Sequence, residues 1–294
     1  MIATFGSINA DLIFSVDALP VPGQTVLARG FHTEAGGKGA NQALAAALDG
    51  AEVVMAGAVG TDALAEVALK GLTGKVDLSR VARLDQPTGC AAIHRDTDGR
   101  NEIVVAAGAN LAATSEAVED ALLARDGILL LQMENDPVQI IRLIRRCHGS
   151  GMLCLLNLAP AFDLPPEVLA LCDLVIVNED EAGMMAGWLG CEATARDLAA
   201  RTGTGILRTL GGAGAELCWR GQEIAIPAVP CQVRDTTAAG DCFVGVVAAA
   251  LDRGADAETA LRRAAAAASV ACSRTGSQSS LPTAQETDRA LSAL

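Results

Sequence analysis

The 294-residue sequence contains no tyrosine, and aromatic residues make up only 2% of it. Hydrophobic residues still account for 51%, so the core must be built mainly from alanine, valine, leucine and isoleucine. The longest apolar runs, near residues 242–251 and 264–272, are shorter than the roughly 18 residues that a membrane-spanning helix needs. The N-terminal residues carry no basic stretch. We therefore expect neither a membrane anchor nor a secretory signal.

Basic residues are also scarce. Lysine and arginine total 22 against 35 aspartates and glutamates, which gives a net charge of -13. A field of this sign argues against nucleic acid or an anionic membrane as a partner. There are only three histidines, and none of the nine cysteines forms a C-x-x-C pair, so zinc-site spacing is absent. Cysteines placed singly in apolar runs indicate a reduced, cytoplasmic protein.

Alternating strand and helix patterns are present from residue 115 onward. Apolar strands, predicted at 127–133, 152–157, 173–178 and 205–210, follow helices predicted at 115–124, 137–148, 166–171 and 193–202. Continuously apolar strands are typical of a parallel sheet covered by helices on both faces. Residues 215–233 predict two antiparallel edge strands. Antiparallel patterns at about 12–33 and 88–107 predict a separate small sheet. We therefore predict one α/β domain over residues 1–294, with a mainly parallel central sheet and a β-sheet lid.

The stretch 233–245 joins a predicted strand to a predicted helix through small residues and ends its turn at Asp241. Small side chains at Ala238, Ala239 and Gly240 let backbone N–H groups approach a ligand. The N-terminus of the following helix favours an anion at the same place. A second glycine-rich turn at residues 211–214 also follows a strand. For residues 233–245 taken alone, an ordinary helix-start turn with an aspartate near its N-cap is the alternative.

Polar groups suited to a sugar occur in the first half of the chain. Asn9 and Asp11 follow the first strand and share a face of an extended segment, where an amide and a carboxylate suit hydroxyl groups. A glycine cluster at 36–39 then opens a helix that carries Lys38 and Asn41. Its spacing matches neither the P-loop nor the dinucleotide-binding fingerprint. Glu134 ends a later strand. The alternatives are an Asx-turn and a helix-start turn.

These groups together predict phosphoryl transfer to a hydroxyl. A nucleotide would bind at the second-half turns and a polyol at the first-half polar groups, with Asp241 between them to deprotonate the attacking hydroxyl. Glu181, Asp235 and Asp241, with Asn178, are candidates to hold Mg²⁺ through water.

The sequence resembles the ribokinase-like (PfkB-type) carbohydrate kinase family, and its ribokinase branch most closely. The resemblance runs nearly end to end. It depends on six motifs, which occupy residues 6–11, 22–25, 36–43, 107–110, 178–181 and 235–241. It implies a three-layer α/β/α fold with a β lid, and ATP-dependent phosphorylation of a sugar, first of all D-ribose to D-ribose 5-phosphate. It also implies a homodimer formed through the lids. An apolar lid face left open to solvent would favour the same dimer.

The resemblance implies a role for each matching position. Asp241 would be the catalytic base, with the turn Ala238, Ala239 and Gly240 as the anion hole. Ribose-contacting positions would be Asn9, Asp11, Gly37, Lys38, Asn41 and Glu134. Asn178 and Glu181 match the motif linked to Mg²⁺ and phosphate, and Thr209, Gly211 and Gly214 match nucleotide-site positions. A monovalent cation site, usually for K⁺, would be formed by Asp235, Thr237, Ala271, Arg274, Gly276 and Ser280.

Four positions depart from the family pattern. Val244 stands where the family often has asparagine, Cys242 where it has threonine, and Ser279 where proline is common. Glu34 occupies a lid position that is usually apolar. Two alternatives stay open at this point. The acceptor is another sugar or a nucleoside, with deoxyribose and fructose among the candidates, or the protein is a sugar-binding regulator without catalysis.

Overall fold

Residues 1–98 and 100–293 are described by the computed structural model, and their extended segments form two sheets. The strands in chain order are β1 (Ile2–Phe5), β2 (Asn9–Ser15), β3 (Gly30–Gly36), β4 (Val53–Gly60), β5 (Asp77–Leu84), β6 (Gly89–Arg95), β7 (Asn101–Ala106), β8 (Gly127–Leu131), β9 (Met152–Asn157), β10 (Leu174–Val177), β11 (Gly205–Thr209), β12 (Ala215–Trp219) and β13 (Gln222–Ile226).

The helices differ in how their first turns are capped. In chain order they are α1 (Lys38–Leu48), α2 (Leu64–Leu69), α3 (Asp120–Leu123), α4 (Pro137–Cys147), α5 (Pro166–Leu169), α6 (Glu179–Leu189), α7 (Ala195–Thr202), α8 (Ala239–Asp252), α9 (Ala257–Cys272) and α10 (Ala284–Ser292). Side chains cap the starts of α4, α6, α7, α9 and α10, as the preference for Asp, Asn and Thr at the N-cap predicts. Among the described helices of eight or more residues, α1 and α8 have no side-chain cap. Their first turns face the candidate site.

The central sheet has nine strands in the order β13-β12-β11-β10-β9-β8-β1-β4-β5. Seven of them run parallel, and β12 and β13 are antiparallel at one edge. β1 lies between β8 and β4, with Ile2 opposite Ile128 on one side and Val53 on the other. The predicted fold class, a mainly parallel α/β sheet with antiparallel edge strands, is confirmed. In such a sheet the carboxyl ends of the parallel strands form one binding edge.

Two hydrophobic clusters cover the two faces of this sheet. Successive side chains of a strand point to opposite faces. In β8, Ile128 and Leu130 accordingly pack in one cluster with α1, α8 and α9, whereas Leu129 and Leu131 pack in the other with α4 to α7. The result is the three-layer α/β/α arrangement.

The lid is the second sheet, with strand order β3-β2-β6-β7. β2 begins at Asn9 and β3 ends at Gly36, so both strands extend slightly beyond the expected range of 12–33. Asp11 on β2 pairs with Glu34 on β3, so both carboxylates lie at the end of the lid nearest the body. Large apolar side chains of the lid are exposed, namely Phe31, Ile103, Val104 and Val105.

Some elements were not anticipated from the sequence. β5 is an edge strand that mixes polar and apolar residues, so it lacks the continuous apolar run that marks the other parallel strands. α6 follows Asn178 directly, and the capping pair Asn178 and Glu181 is itself a helix-start signal. Residues 115–124 form a short 3₁₀ turn and the four-residue α3 instead of one helix.

Candidate active site

The first turn of α8 presents backbone N–H groups beside a carboxylate. Ala238 precedes the helix in the left-handed conformation, with φ 57°, which is costly for a residue with a Cβ atom. The Ala239 N–H donates to the Thr236 carbonyl at 3.2 Å. Within the described part of the chain, the N–H groups of Gly240 and Asp241 have no acceptor, as expected for the first turn of a helix. A Cβ atom added at Gly240 would meet open space. An anion therefore has both room and two N–H donors here.

Asp241 is held in place from α1. Asn41 Nδ2 donates to one carboxylate oxygen and Gln42 Nε2 to the other, each at 2.9 Å. Gln42 is oriented in turn, because its Oε1 accepts from Gln132 at 2.7 Å and its Nε2 also lies 2.8 Å from Asn157 Oδ1. This chain of amides fixes the rotamer of the Asp241 carboxylate.

Gln42, Gln132 and Asn157 were not among the predicted site residues. Gln42 lies within the motif at 36–43, so its position was noticed but its role was not. Gln132 and Asn157 close strands at the binding edge of the sheet, which is the signal that could have found them.

The polar residues of the sugar side come together at the start of β2. Asn9 Oδ1 accepts from Asn110 Nδ2 at 2.7 Å, and Asn110 Oδ1 accepts from the Ile8 N–H at 2.9 Å. Asn110 is buried and orients Asn9, a role that the motif at 107–110 did not reveal. Asn41 Oδ1 is buried and has no donor among the described residues. Since buried acceptors are almost always satisfied, this atom is suited to a ligand hydroxyl.

Asp11 lies on the lid side of the same cluster. Burial raises its pKa to about 7, and the negative charges of Glu134, Glu34 and Asp241 add to the rise. No group in residues 1–98 or 100–293 donates a hydrogen bond to it. A cavity of about 220 Å³ extends from Asp11 under the lid.

The glycines at the start of α1 are required by the protein's own backbone. A Cβ atom at Gly36 would lie 2.2 Å from the Asp11 carboxylate, and one at Gly37 would lie 2.8 Å from backbone atoms of Ser7 and Asn9. Gly37 also has φ 91°. The glycine cluster therefore lets α1 approach β1 and β2 closely. This packing, not ligand binding alone, explains why three glycines occur there.

Lys38 and Glu134 flank the first turn of α1. Glu134 accepts hydrogen bonds from the Ser7 hydroxyl and from the Lys38 N–H. The Lys38 side chain lines a cavity of about 210 Å³ together with Asp241 and Glu181. The Asp241 carboxylate raises the pKa of the Lys38 ammonium despite its burial. The Lys38 ammonium thus lies beside the cleft that Asn178 and Thr209 line. Its predicted place was only among the polar residues expected to bind the sugar.

A larger cavity continues from this cleft. It has a volume of about 350 Å³ and is lined mainly by small and apolar residues, among them Val229, Phe243, Ala265 and Ala268. Thr209, Thr236 and Gly240 line both cavities, so the two are continuous. Gly211 borders the larger cavity. Gly214, with φ 108°, borders it too but packs against the Ile226 carbonyl, so its glycine is needed structurally.

Asn178 and Glu181 form the capping box of α6. Asn178 Oδ1 accepts from the Glu181 N–H, and Glu181 Oε2 accepts from the Asn178 N–H, both at 2.8 Å. Burial raises the pKa of the Glu181 carboxyl, and the Asp241 charge adds to this, against the lowering effects of the Asn178 N–H and of Lys38. Its second oxygen accepts no hydrogen bond from the described residues, and Glu181 lines the cleft. No group of three or more metal-ligating side chains occurs among the described residues.

The predicted monovalent cation positions centre on Asp235, which is almost fully buried. Its Oδ1 accepts from the N–H of Thr237 at 2.9 Å and from the hydroxyl at 2.6 Å. Its Oδ2 accepts from the Gly276 N–H and from Arg95 Nη2, each at 3.2 Å. A carboxylate offers about four lone-pair sites, so all of them are occupied.

The other three predicted positions lie at the end of α9 and in the turn after it. The Ala271 carbonyl accepts from the Arg274 N–H at 3.0 Å. The Arg274 side chain pairs with Glu286, and its Nη1 lies 3.5 Å from the Ser280 carbonyl. Asp235 is the one acid of the predicted set, and its lone pairs are taken. As arranged here, the Asp235 carboxylate offers no free lone pair to a K⁺ ion.

The departures next to Asp241 are buried. Cys242 is fully buried in the core, and burial raises the pKa of its thiol, with the Asp241 charge adding to the rise. Val244 lines the smaller cavity, so it replaces a polar group with an apolar one at the nucleotide side.

No helix among the described residues is long and apolar enough to cross a membrane.

Comparisons with known proteins agree with this architecture. The model of the pfkB family of carbohydrate kinases matches residues 1–284. The chain is 35% identical over 297 residues to a ribokinase of Bacillus subtilis, which covers 99% of both chains. A solved ribokinase of Thermotoga maritima superposes with a TM-score of 0.92 at 29% identity, over 99% of each chain. An Arabidopsis thaliana ribokinase complexed with ribose and ATP superposes with a TM-score of 0.87 at 31% identity, over 99% of this chain and 98% of that one.

Proposed function

The chain belongs to the pfkB family of carbohydrate kinases, and on this premise we propose that it transfers the γ-phosphoryl group of ATP to D-ribose, giving D-ribose 5-phosphate. One observation carries the proposal. Asp241 stands at the open N-terminus of α8, between a polar cluster suited to a sugar and a cleft suited to a nucleotide. The family makes the protein a phosphotransferase that acts on a sugar. The similarity to a ribokinase complexed with ribose and ATP supports ribose as the acceptor.

The sugar would bind against Asn9, Asp11, Gly37 and Asn41, with Glu134 and Lys38 beside them. The unsatisfied Asn41 Oδ1 would accept from a sugar hydroxyl, and the Asp11 carboxyl would exchange hydrogen bonds with others. Because each buried polar atom needs a partner, an acceptor that lacks one of these hydroxyls should bind more weakly.

The reaction would proceed by transfer of one proton and one phosphoryl group. Asp241 takes the proton from the attacking hydroxyl, whose oxygen forms a bond to the γ-phosphorus. The bond from that phosphorus to the bridging oxygen breaks, and ADP leaves with the electron pair. The N–H groups of Gly240 and Asp241 stabilise the charge on the transferred group, within the turn that starts at Ala238. The Lys38 ammonium adds positive charge on the same side.

The nucleotide would lie along the two continuous cavities. The apolar walls of the larger one suit an adenine ring, with Thr209, Gly211 and Gly214 at its border. Glu181, next to Asn178, would hold through water the Mg²⁺ that accompanies the phosphates, where the ion neutralises phosphate charge.

A second copy of this chain is the proposed partner of the lid. Phe31, Ile103, Val104 and Val105 are each more than half exposed on the small sheet. Phe31 and Val104 lie on one face of this sheet, and Ile103 and Val105 on the other. Exposed apolar side chains of this kind are typical of an interface, and a lid-to-lid homodimer would cover those on one face. Light scattering should give the dimer mass at micromolar concentration, and a monomer mass would contradict the dimer.

The free thiols of all nine cysteines support the expected reducing compartment, the cytoplasm.

A panel of acceptors tests the proposed function. The protein is incubated with ATP and Mg²⁺ and with ribose, deoxyribose, fructose or a nucleoside, and ADP release is followed. We expect the highest kcat/KM with ribose. Higher efficiency with another acceptor would reassign the substrate within the family. Saturable sugar binding without ADP release would instead support a regulator that binds sugar.

A further inference from the structure

Arg95 connects the lid to the floor of the site. It is the last residue of β6, and its guanidinium reaches across to the body. Nη2 lies 3.2 Å from Asp235 Oδ2 and 3.4 Å from the Thr237 hydroxyl. The Arg95 side chain keeps about a third of its surface exposed, whereas Asp235 keeps only 7%. The contact therefore joins a positively charged side chain of the lid to a buried carboxylate of the body.

With the hydrogen bond from Arg95, every lone-pair site of the Asp235 carboxylate has a donor. Burial alone would raise its pKa, but hydrogen bonds from Thr237 and Gly276 and the charge of Arg95 outweigh burial and leave the pKa below its usual value. Because Arg95 and Gly276 take the Oδ2 lone pairs and Thr237 takes those of Oδ1, an added cation would have to displace one of these donors.

A second lid residue reaches the same part of the body. Glu34 Oε2 accepts from the Ser277 N–H at 3.0 Å. Glu34 also lies close to Gly276, since a Cβ atom there would be 3.1 Å from its carboxylate. The lid thus holds the loop at 275–277 through Glu34, while Arg95 holds the carboxylate against which that loop packs. Arg95 contacts the residues directly before the α8 turn, and Glu34 contacts the loop that packs against them.

We propose that the Arg95 guanidinium serves as the built-in monovalent cation of this enzyme, in the place where a K⁺ ion was expected from the sequence. Only the expected effect on turnover rests on the proposed kinase function. The expected effect on cation binding does not. Asp235 and Thr237 lead directly into the turn at 238–240, so a positive charge on Asp235 keeps this turn in the geometry that binds the transferred phosphoryl group. Since Arg95 belongs to the lid, the charge is in place only when the lid lies against the body.

Removing the guanidinium should convert the enzyme into one that needs a cation. In Arg95→Leu, Asp235 Oδ2 loses its charged partner, and K⁺ can take the free lone pair. In Arg95→Lys, an ammonium keeps the charge. The matched control is Arg29→Leu, which removes another arginine of the lid. Arg29 pairs with Asp17 and not with Asp235.

The experiment compares the four proteins in KCl and in tetramethylammonium chloride at one ionic strength. Thermal unfolding without nucleotide or sugar reads cation binding directly. We expect Tm of the wild type and Arg29→Leu to be the same in both salts, and Tm of Arg95→Leu to rise in KCl by about 2 to 4 °C. Turnover of Arg95→Leu should fall at least about tenfold in tetramethylammonium and recover in KCl. Arg95→Lys should stay close to the wild type.

Two results would overturn the proposal. One is a wild type whose Tm or turnover depends on K⁺, because its site would then bind the ion despite Arg95. The other is an Arg95→Leu protein that folds, by circular dichroism, but gains no K⁺-dependent rise in Tm, which would make Arg95 a lid clamp only. If no acceptor is turned over by any variant, the kinase function fails, whereas the Tm comparison still decides the cation site.

Discussion

Among the carboxylates at the site, Asp241 from the body and Asp11 from the lid are held in opposite ways. Asp241 receives a side-chain amide on each oxygen, and those amides are themselves fixed by Gln132 and Asn157. Asp11 is buried near three other acids, which contribute to its raised pKa, and receives no donor from the described residues. The body carboxylate is preorganised before any ligand arrives, as the role of base that we propose for it requires. The lid carboxylate depends on the ligand to supply its hydrogen bonds.

The largest expected effect is on the body side. Asp241→Asn removes the base and places an amide opposite the two amide donors. We expect kcat to fall by about 10³-fold or more, because proton removal and positioning are lost together. Steady-state ADP release measures it, with Asp163→Asn in an exposed loop as the control. Turnover near that of the wild type would remove Asp241 from its assigned role.

A smaller loss of kcat is expected when the support of Asp241 is removed. Gln42→Ala deletes a donor to this carboxylate and breaks the link to Gln132. Since a hydrogen bond to a charged group is worth about 1.5–3 kcal/mol, kcat should fall about 10- to 100-fold while KM for the sugar changes little. The control is Gln139→Ala on α4, which lies outside the site. A rise in KM with unchanged kcat would show that Gln42 acts on sugar binding instead.

On the lid side the expected effect is on stability and its pH dependence. With a folded-state pKa of about 7 for Asp11, the folded protein keeps a proton that the unfolded chain has released above about pH 4. Stability from this group is therefore lost as pH rises from about 4 to 7, by up to about 1.4 kcal/mol per pH unit. Asp11→Asn should abolish that loss.

Urea unfolding without sugar at pH 5, 6, 7 and 8 measures this difference. Relative to the wild type, Asp11→Asn should become more stable as pH rises, and the gain should level off above pH 7. Asp17→Asn, on the exposed part of the lid, should show no such trend. A constant difference between Asp11→Asn and the wild type at all four pH values would contradict the raised pKa.

The smallest expected effect is the contribution of Glu34 to the raised pKa of Asp11. Glu34 is a secondary cause of the Asp11 shift, after burial and Glu134. In Glu34→Gln, the pKa of Asp11 should fall by less than about one unit, equivalent to less than about 1.4 kcal/mol. Chemical-shift titration of the Asp11 carboxyl by NMR measures it directly. A titration midpoint that does not move would mean that Glu34 is screened from Asp11.

The sequence predicted the body of the molecule better than the lid contacts. Continuous apolar strands mark a parallel sheet, and small residues mark the start of α8, whose first turn contains Asp241, so the local pattern was sufficient to predict these elements. The contact between Arg95 and Asp235 joins residues 140 positions apart, and no local pattern encodes it. The strand ends at Gln132 and Asn157 are visible in the sequence pattern, but both act on Asp241 through Gln42 on a different element, so their roles were missed.

The most direct test of the account is the product of a single reaction. The protein is mixed with ATP, Mg²⁺ and D-ribose, and the phosphorylated sugar is identified by ³¹P NMR alongside ADP release. The account predicts one D-ribose 5-phosphate for each ADP in the wild type and loss of both products in Asp241→Asn. Ribose-independent ADP release, or phosphorylation that persists in Asp241→Asn, would contradict it.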